Sequence, residues 1–78
     1  MKMYEVDGIK LFHGTVRVTP VIRADGTRWR EPFDRTGTWV YRPEQDTWYC
    51  HPDGEAKTVY DMIESYPPRI LSDFREVP

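Results

Sequence analysis

The chain has 78 residues with a formal net charge of -2, one cysteine and 14% aromatic residues, which fits one domain and leaves no length for a separate catalytic unit. The aromatic content argues against disorder, and the single cysteine excludes an intrachain disulfide framework and suits a reducing compartment, so a cytoplasmic location is expected. Lys2, Glu5, Asp7 and Lys10 interrupt the first apolar runs, which argues against a signal peptide or membrane span.

In chain order, Met3–Val6 and Ile9–Phe12 flank Asp7-Gly8, and Asp-Gly supplies the two positive-φ positions of a type I′ hairpin turn. The second strand continues through Val16 and Val18. Ile9 and Leu11 have the opposite parity from these valines, so the spacing predicts a bulge at Gly14. Val18–Arg23 and Thr27–Arg30 flank a second Asp-Gly, Asp25-Gly26. A two-residue loop there sets Arg23 against Arg28 and Ile22 against Trp29, and makes the last two a core pair. Pro20 lacks a ladder donor and marks an edge, a bulge or a break. Glu31–Gly37 has breakers at both ends and reads as a loop.

Thr38–Arg42 and Thr47–His51 are rich in β-branched and aromatic residues around Pro43-Glu44-Gln45-Asp46, which predicts a hairpin with Tyr41 opposite Trp48 and Trp39 opposite Cys50. Val40 and Tyr49 then share the other face. Thr58-Val59-Tyr60-Asp61 has capping-box spacing, and Val59, Met62, Ile63 and Tyr66 follow at i, i+3, i+4 and i+7, so a short helix stopped by Pro67-Pro68 is expected. In Arg69–Val77, Ile70, Leu71, Phe74 and Val77 fit either a last strand or a helical turn, and the segment is read as strand.

Cys50, His51, His13 and Asp53 raise a metal or nucleophile reading. Structural zinc needs four ligands, and neighbouring strand residues point to opposite faces, so neither a metal site nor a reactive cysteine is expected. Cys50 reads instead as a core residue beside Trp39. The chain contains no glycine-rich phosphate loop, no G-x-S-x-G and no H-E-x-x-H, and no cofactor or catalytic activity is expected. Asp61 and Glu64 at i, i+3 read as a solvated face.

Charge is unevenly distributed. Residues 17–42 carry six arginines against Asp25, Glu31 and Asp34, whereas residues 43–66 carry Glu44, Asp46, Asp53, Glu55, Asp61 and Glu64 against Lys57. Complementary solvated faces explain this most simply. Arg28-Trp29-Arg30, with Phe33 and Arg35, also places cations beside aromatics as single-stranded nucleic-acid binders do. The acidic pI of about 5.6 and the pairing of Trp29 with Ile22 weigh against that reading.

The run Gly37-Thr38-Trp39-Val40-Tyr41-Arg42-Pro43-Glu44-Gln45-Asp46-Thr47-Trp48-Tyr49-Cys50 and the later Tyr66-Pro67-Pro68 resemble small uncharacterised proteins of bacterial phages and mobile elements. The resemblance implies an accessory or host-interaction role and names no site residue. The expectation is therefore one α+β domain over residues 1–78, a twisted antiparallel sheet of hairpins with one helix on a face and a core of Trp39, Tyr41, Trp48, Ile22 and Val18. Its expected role is non-catalytic binding of a protein partner or of itself, through a surface including Val40, Tyr49, Arg28, Arg30 and Arg35, with nucleic acid the second choice and no membrane.

Overall fold

The computed structural model describes residues 3–54 and 63–77. In these, β1 (Tyr4–Val6), β2 (Ile9–Val18), β3 (Phe33–Arg42), β4 (Thr47–Pro52), β5 (Glu64–Tyr66) and β6 (Leu71–Glu76) form one antiparallel sheet, and a 3-10 turn (Pro68–Ile70) precedes β6. This corrects the α+β expectation. Among the described residues there is no α-helix, and the architecture is a β-sheet of six strands. Residues 58–62 of the expected helix lie outside the described residues. Its last residues, Glu64 to Tyr66, are strand, with Trp48 opposite Tyr66 and Cys50 opposite Glu64. The physical reason is that a two-turn helix has little stability of its own, so a ladder that also buries Tyr66 overrides a helical stripe of this length.

Strand order is β1-β2-β3-β4-β5, with β6 also on β2. Because β3 runs along one side of β2, β1 and β6 share its other side end to end. The first hairpin forms as its turn chemistry dictates: Asp7 and Gly8 have φ of 51° and 79°, and Val6 faces Ile9. The β3–β4 hairpin has the expected register, with Arg42 opposite Thr47, Tyr41 opposite Trp48 and Trp39 opposite Cys50. Its turn closes through Gln45 N–H to Arg42 O and Asp46 N–H to Pro43 O, both 3.2 Å. The expected last strand is present as β6.

The expected bulge at Gly14 is absent. β2 pairs with β3 in one unbroken register, burying Phe12, Gly14, Val16 and Val18 while Ile9 and Leu11 lie on the opposite face. The parity change read in the sequence reflects apolar residues on both faces. The irregularity lies in β6, where Asp73 and Phe74 together oppose Val16, and Asp73 takes φ 55°. A bulge re-aims side chains, and Phe74 contacts Phe12 and Trp48 at centroid distances of 5.6 and 5.7 Å.

β4 and β6 are separated by two intervening strands, so the Trp48–Phe74 contact requires the sheet to curl over itself. Phe12, Val16, Val18, Trp39, Trp48, Cys50, Tyr66, Ile70 and Leu71 are buried inside the curl. Trp39 packs on Tyr66 at 5.6 Å and Phe12 meets Trp48 edge-on at 5.8 Å. Gly14 and Gly37 face each other across β2 and β3. A Cβ on Gly14 would collide with the carbonyl oxygen of Arg75, and one on Gly37 with that of His51, so bare backbone at both positions is what lets the flanking strands close in.

The second hairpin does not join the sheet. Val18 pairs with Phe33, so residues 19–32 leave the sheet as an excursion that starts at the buried Pro20. β3 consequently begins at Phe33, and the expected loop over Glu31–Gly37 is mostly strand. Around Asp25-Gly26 the turn is one residue longer than expected: Arg23 N–H bonds Thr27 O at 2.7 Å and Gly26 takes φ 87°, so Arg23 faces Thr27 rather than Arg28. The Asp25 carboxylate accepts Thr27 N–H at 3.0 Å and the Thr27 hydroxyl at 2.6 Å, and these bonds lower its pKa. Ile22 and Trp29 are therefore not a core pair and stand 56% and 51% exposed. Trp39, Trp48 and Val18 are buried as expected, and Tyr41 is half-buried.

Gly14→Ala is expected to destabilise the fold by about 1–3 kcal/mol, as overpacking against backbone does, while Gly26→Ala, with open space around it but a left-handed backbone at φ 87°, is expected to cost about 1 kcal/mol through backbone strain alone; urea unfolding of the two variants compares them. Trp48→Ala, which empties the centre of the aromatic core, is expected to cost about 3–5 kcal/mol, and a loss near zero would place Trp48 outside the cooperative unit.

Candidate functional site

The five residues expected to form one surface are divided between two. Alternation along the strands places Val40 and Tyr49 opposite each other on the outer face of the curl, in a row with Tyr4, Leu11 and Ser65. Both are half-buried. The Tyr49 hydroxyl donates to the Gln45 side-chain oxygen, and an open groove of about 910 Å³, lined in part by Thr38, Val40, Arg42, Tyr49 and His51, lies along this face.

The next row of the same face brings the two histidines together in register, with His13 opposite Thr38 and Thr38 opposite His51. His13 Nε2 lies 2.7 Å from Asp53 Oδ2, tying β2 to the end of β4. Cys50 points the other way, into the core. Among the described residues no three His, Cys, Asp or Glu side chains converge on a point where an ion would sit.

Arg28, Arg30 and Arg35 belong to a second region, where the 19–32 excursion returns to the sheet. Its centre is Phe33, the first residue of β3. The Arg30 guanidinium lies 3.8 Å from the ring centroid and that of Arg35 5.3 Å. Trp29 meets the same ring edge-on at 6.2 Å, and Tyr66 approaches it at 6.5 Å. Stacking of guanidinium on an aromatic face is favourable and leaves the in-plane N–H groups directed outward.

Arg35 Nε lies 3.0 Å from Glu64 Oε1, and the Tyr66 hydroxyl donates to the same oxygen at 2.6 Å. The Glu64 carboxylate is thus charge-paired by Arg35 and hydrogen-bonded by Tyr66. Burial, reinforced by the hydrogen bond to Glu64, pushes the Tyr66 phenol up to about 12. Arg28 lies 3.9 Å from Glu31.

Beside this cluster a groove of about 440 Å³ runs between the excursion and the β5 segment, lined by Val21, Trp29, Arg30, Tyr66, Pro67 and Arg69 among others. Val21 and Trp29 on its wall are 50% and 51% exposed. The sequence reading missed this groove. Trp29 had been assigned to the core through Ile22, and Val21, Tyr66 and Arg69 are distant in sequence from the Arg28–Arg30 cluster. The one available signal was Arg69 directly after Pro67-Pro68, a cation fixed at the end of a stiff segment.

Comparison with protein-family models, curated proteins and solved structures finds no match for this chain. Among the described residues no helix is long and apolar enough to cross a membrane.

The Tyr66 environment sets a pH dependence. The unfolded phenol ionises near its ordinary value of 10 and the folded one near 12, so the folded state favours the proton. That stabilisation is complete below pH 10 and is lost as pH rises through 12. Denaturation midpoints are expected to fall between pH 10 and 12, and Tyr66→Phe is expected to make that fall shallower.

Proposed function

We propose that this chain is a small non-catalytic binding module that acts through protein–protein contacts, with the Trp29 groove as its principal contact surface. The observation that carries this reading is the exposure of Val21, Ile22 and Trp29 at 50–56% on one excursion anchored by the buried Pro20. Large apolar side chains held together at the surface mark interaction sites, and Trp beside Arg is the composition favoured where binding energy concentrates. Among the described residues the groove brings no activated nucleophile to a base, and Glu64, the carboxylate on its wall, is engaged by Arg35 and Tyr66, which supports binding over catalysis. The outer-face row of Val40 and Tyr49, with the exposed Tyr4 and Val6 of the β1 edge, supplies a second surface suited to self-association. A reducing cytoplasm suits the chain, whose one cysteine is buried and forms no disulfide, and an accessory role is the one that the resemblance of its Gly37–Cys50 run to phage and mobile-element proteins implies.

A second reading, single-stranded nucleic-acid binding through Arg28-Trp29-Arg30, is favoured by one finding: Trp29 is exposed and open to stack a base. The net acidic chain and the aliphatic Val21 that shares the groove with Trp29 favour a protein.

Affinity capture from lysate with the wild-type chain, Trp29→Ala and Val21→Ser tests the proposal. Both variants are expected to lose the bound protein; Val21→Ser is expected to keep the wild-type melting temperature, and Trp29→Ala to lower it slightly through loss of its edge contact with Phe33. Retention of every bound protein by both variants would refute the groove as the contact surface, and capture abolished by nuclease treatment would transfer the site to nucleic acid.

A further inference from the structure

We infer that the Trp29 groove takes an acidic segment of a partner protein, one that places an apolar side chain against Val21 and Trp29 and carboxylates against Arg30 and Arg69. The inference rests on the binding-module reading above and adds the chemistry of the partner.

Charge complementarity carries it. Of the charged groups lining the groove, Glu64 is already charge-paired by Arg35 and accepts a hydrogen bond from the Tyr66 hydroxyl. Arg30 and Arg69 have no carboxylate within ion-pair distance among the described residues, and both are exposed. Among the described residues the groove therefore presents two cations without an ion-pair partner, on a chain whose net charge is negative. Arg30 is also pre-positioned. Its flat face is taken by Phe33 at 3.8 Å, which leaves its N–H edge for a carboxylate, the partner that edge matches in a paired, two-bond geometry.

The apolar half of the site selects the rest of the ligand. Val21, Trp29 and Pro67 give an aliphatic and aromatic wall, and a groove of about 440 Å³ lies within the range of roughly 300–1,000 Å³ common for ligand sites. Residues 64–67 line it consecutively, and β5 pairs only with β4 among the described strands. An extended segment can therefore lie along that edge. Bases would stack on Trp29 but gain little from Val21 and Pro67, so an acidic peptide uses more of what the groove offers than a polynucleotide does.

Selection from a random displayed 12-residue peptide library on the immobilised full chain tests the inference, with oligo(dT) measured as a competing probe. Enriched sequences are expected to carry Asp and Glu around a Leu, Phe or Trp, and the binding of a synthesised winner is expected to weaken with salt. Arg30→Gln and Arg69→Gln are each expected to weaken it about tenfold, as loss of a charge-assisted hydrogen bond does, with the melting temperature unchanged for Arg69→Gln and slightly lowered for Arg30→Gln, which also loses its stacking on Phe33. Neutral or basic winners, acidic winners indifferent to both arginines, or no enrichment would overturn it. Winners that need Trp29 but neither arginine would leave the binding-module reading standing and remove only the acidic partner. Tighter Trp29-dependent binding of oligo(dT) would remove both.

Discussion

The close approach of β2 and β3 to their neighbours at Gly14 and Gly37 is the constraint on which the rest of the structure depends. The two residues face each other in the ladder, and each lies where a side chain would overlap a neighbouring carbonyl. With no Cβ on either, β6 closes on one side and β4 on the other, and the sheet bends far enough for Trp48 to reach Phe74. A flat sheet of the same strands would leave Phe12, Trp39 and Trp48 on an open face. The bulge at Asp73 and Phe74 completes the closure by turning an aromatic ring inward from the last strand.

The same geometry determines where the binding groove falls. Because Phe33 begins β3 on the concave side, its ring is packed by Tyr66 from β5 and by Arg35 from its own strand, and one face remains for the returning excursion. Arg30 and Trp29 settle on that ring. The excursion thus needs little core of its own: Pro20 anchors its start, the Asp25–Thr27 bonds hold its tip, and Phe33 receives its end. Val21 and Ile22, with no such partner, are left facing solvent.

The two tight hairpins were legible because their registers follow from local turn chemistry. Asp7-Gly8 and Pro43–Asp46 each specify a loop length, and the cross-strand pairs follow from it. Asp25-Gly26 was equally legible as a turn, but whether its flanks belong to the sheet depends on Val18 pairing with Phe33, a long-range choice that no local pattern reports. Tyr66 shows the same limit in another form. Ile63 and Tyr66 at i, i+3 fit one face of a helix, and only the presence of β4 alongside makes strand the better solution for Glu64–Tyr66. The groove joins Val21, Trp29, Tyr66 and Arg69 through these long-range pairings, so it was hidden for the same reason, whereas the outer-face pair Val40 and Tyr49 followed from a hairpin register and was visible.

The sharing of one side of β2 by β1 and β6 has a consequence for how the chain reaches this state. β1 finds its place through a two-residue turn, but the adjoining stretch of β2 from Gly14 to Val18 waits for Leu71–Glu76. During synthesis that stretch is an open strand edge, exposed until the last strand has left the ribosome, and pairings between such distant segments form slowly. In the interval Thr15 and Arg17 are the residues on the unfilled edge whose side chains face outward, and the cation at Arg17 is the type of group that discourages a stray strand from adding there.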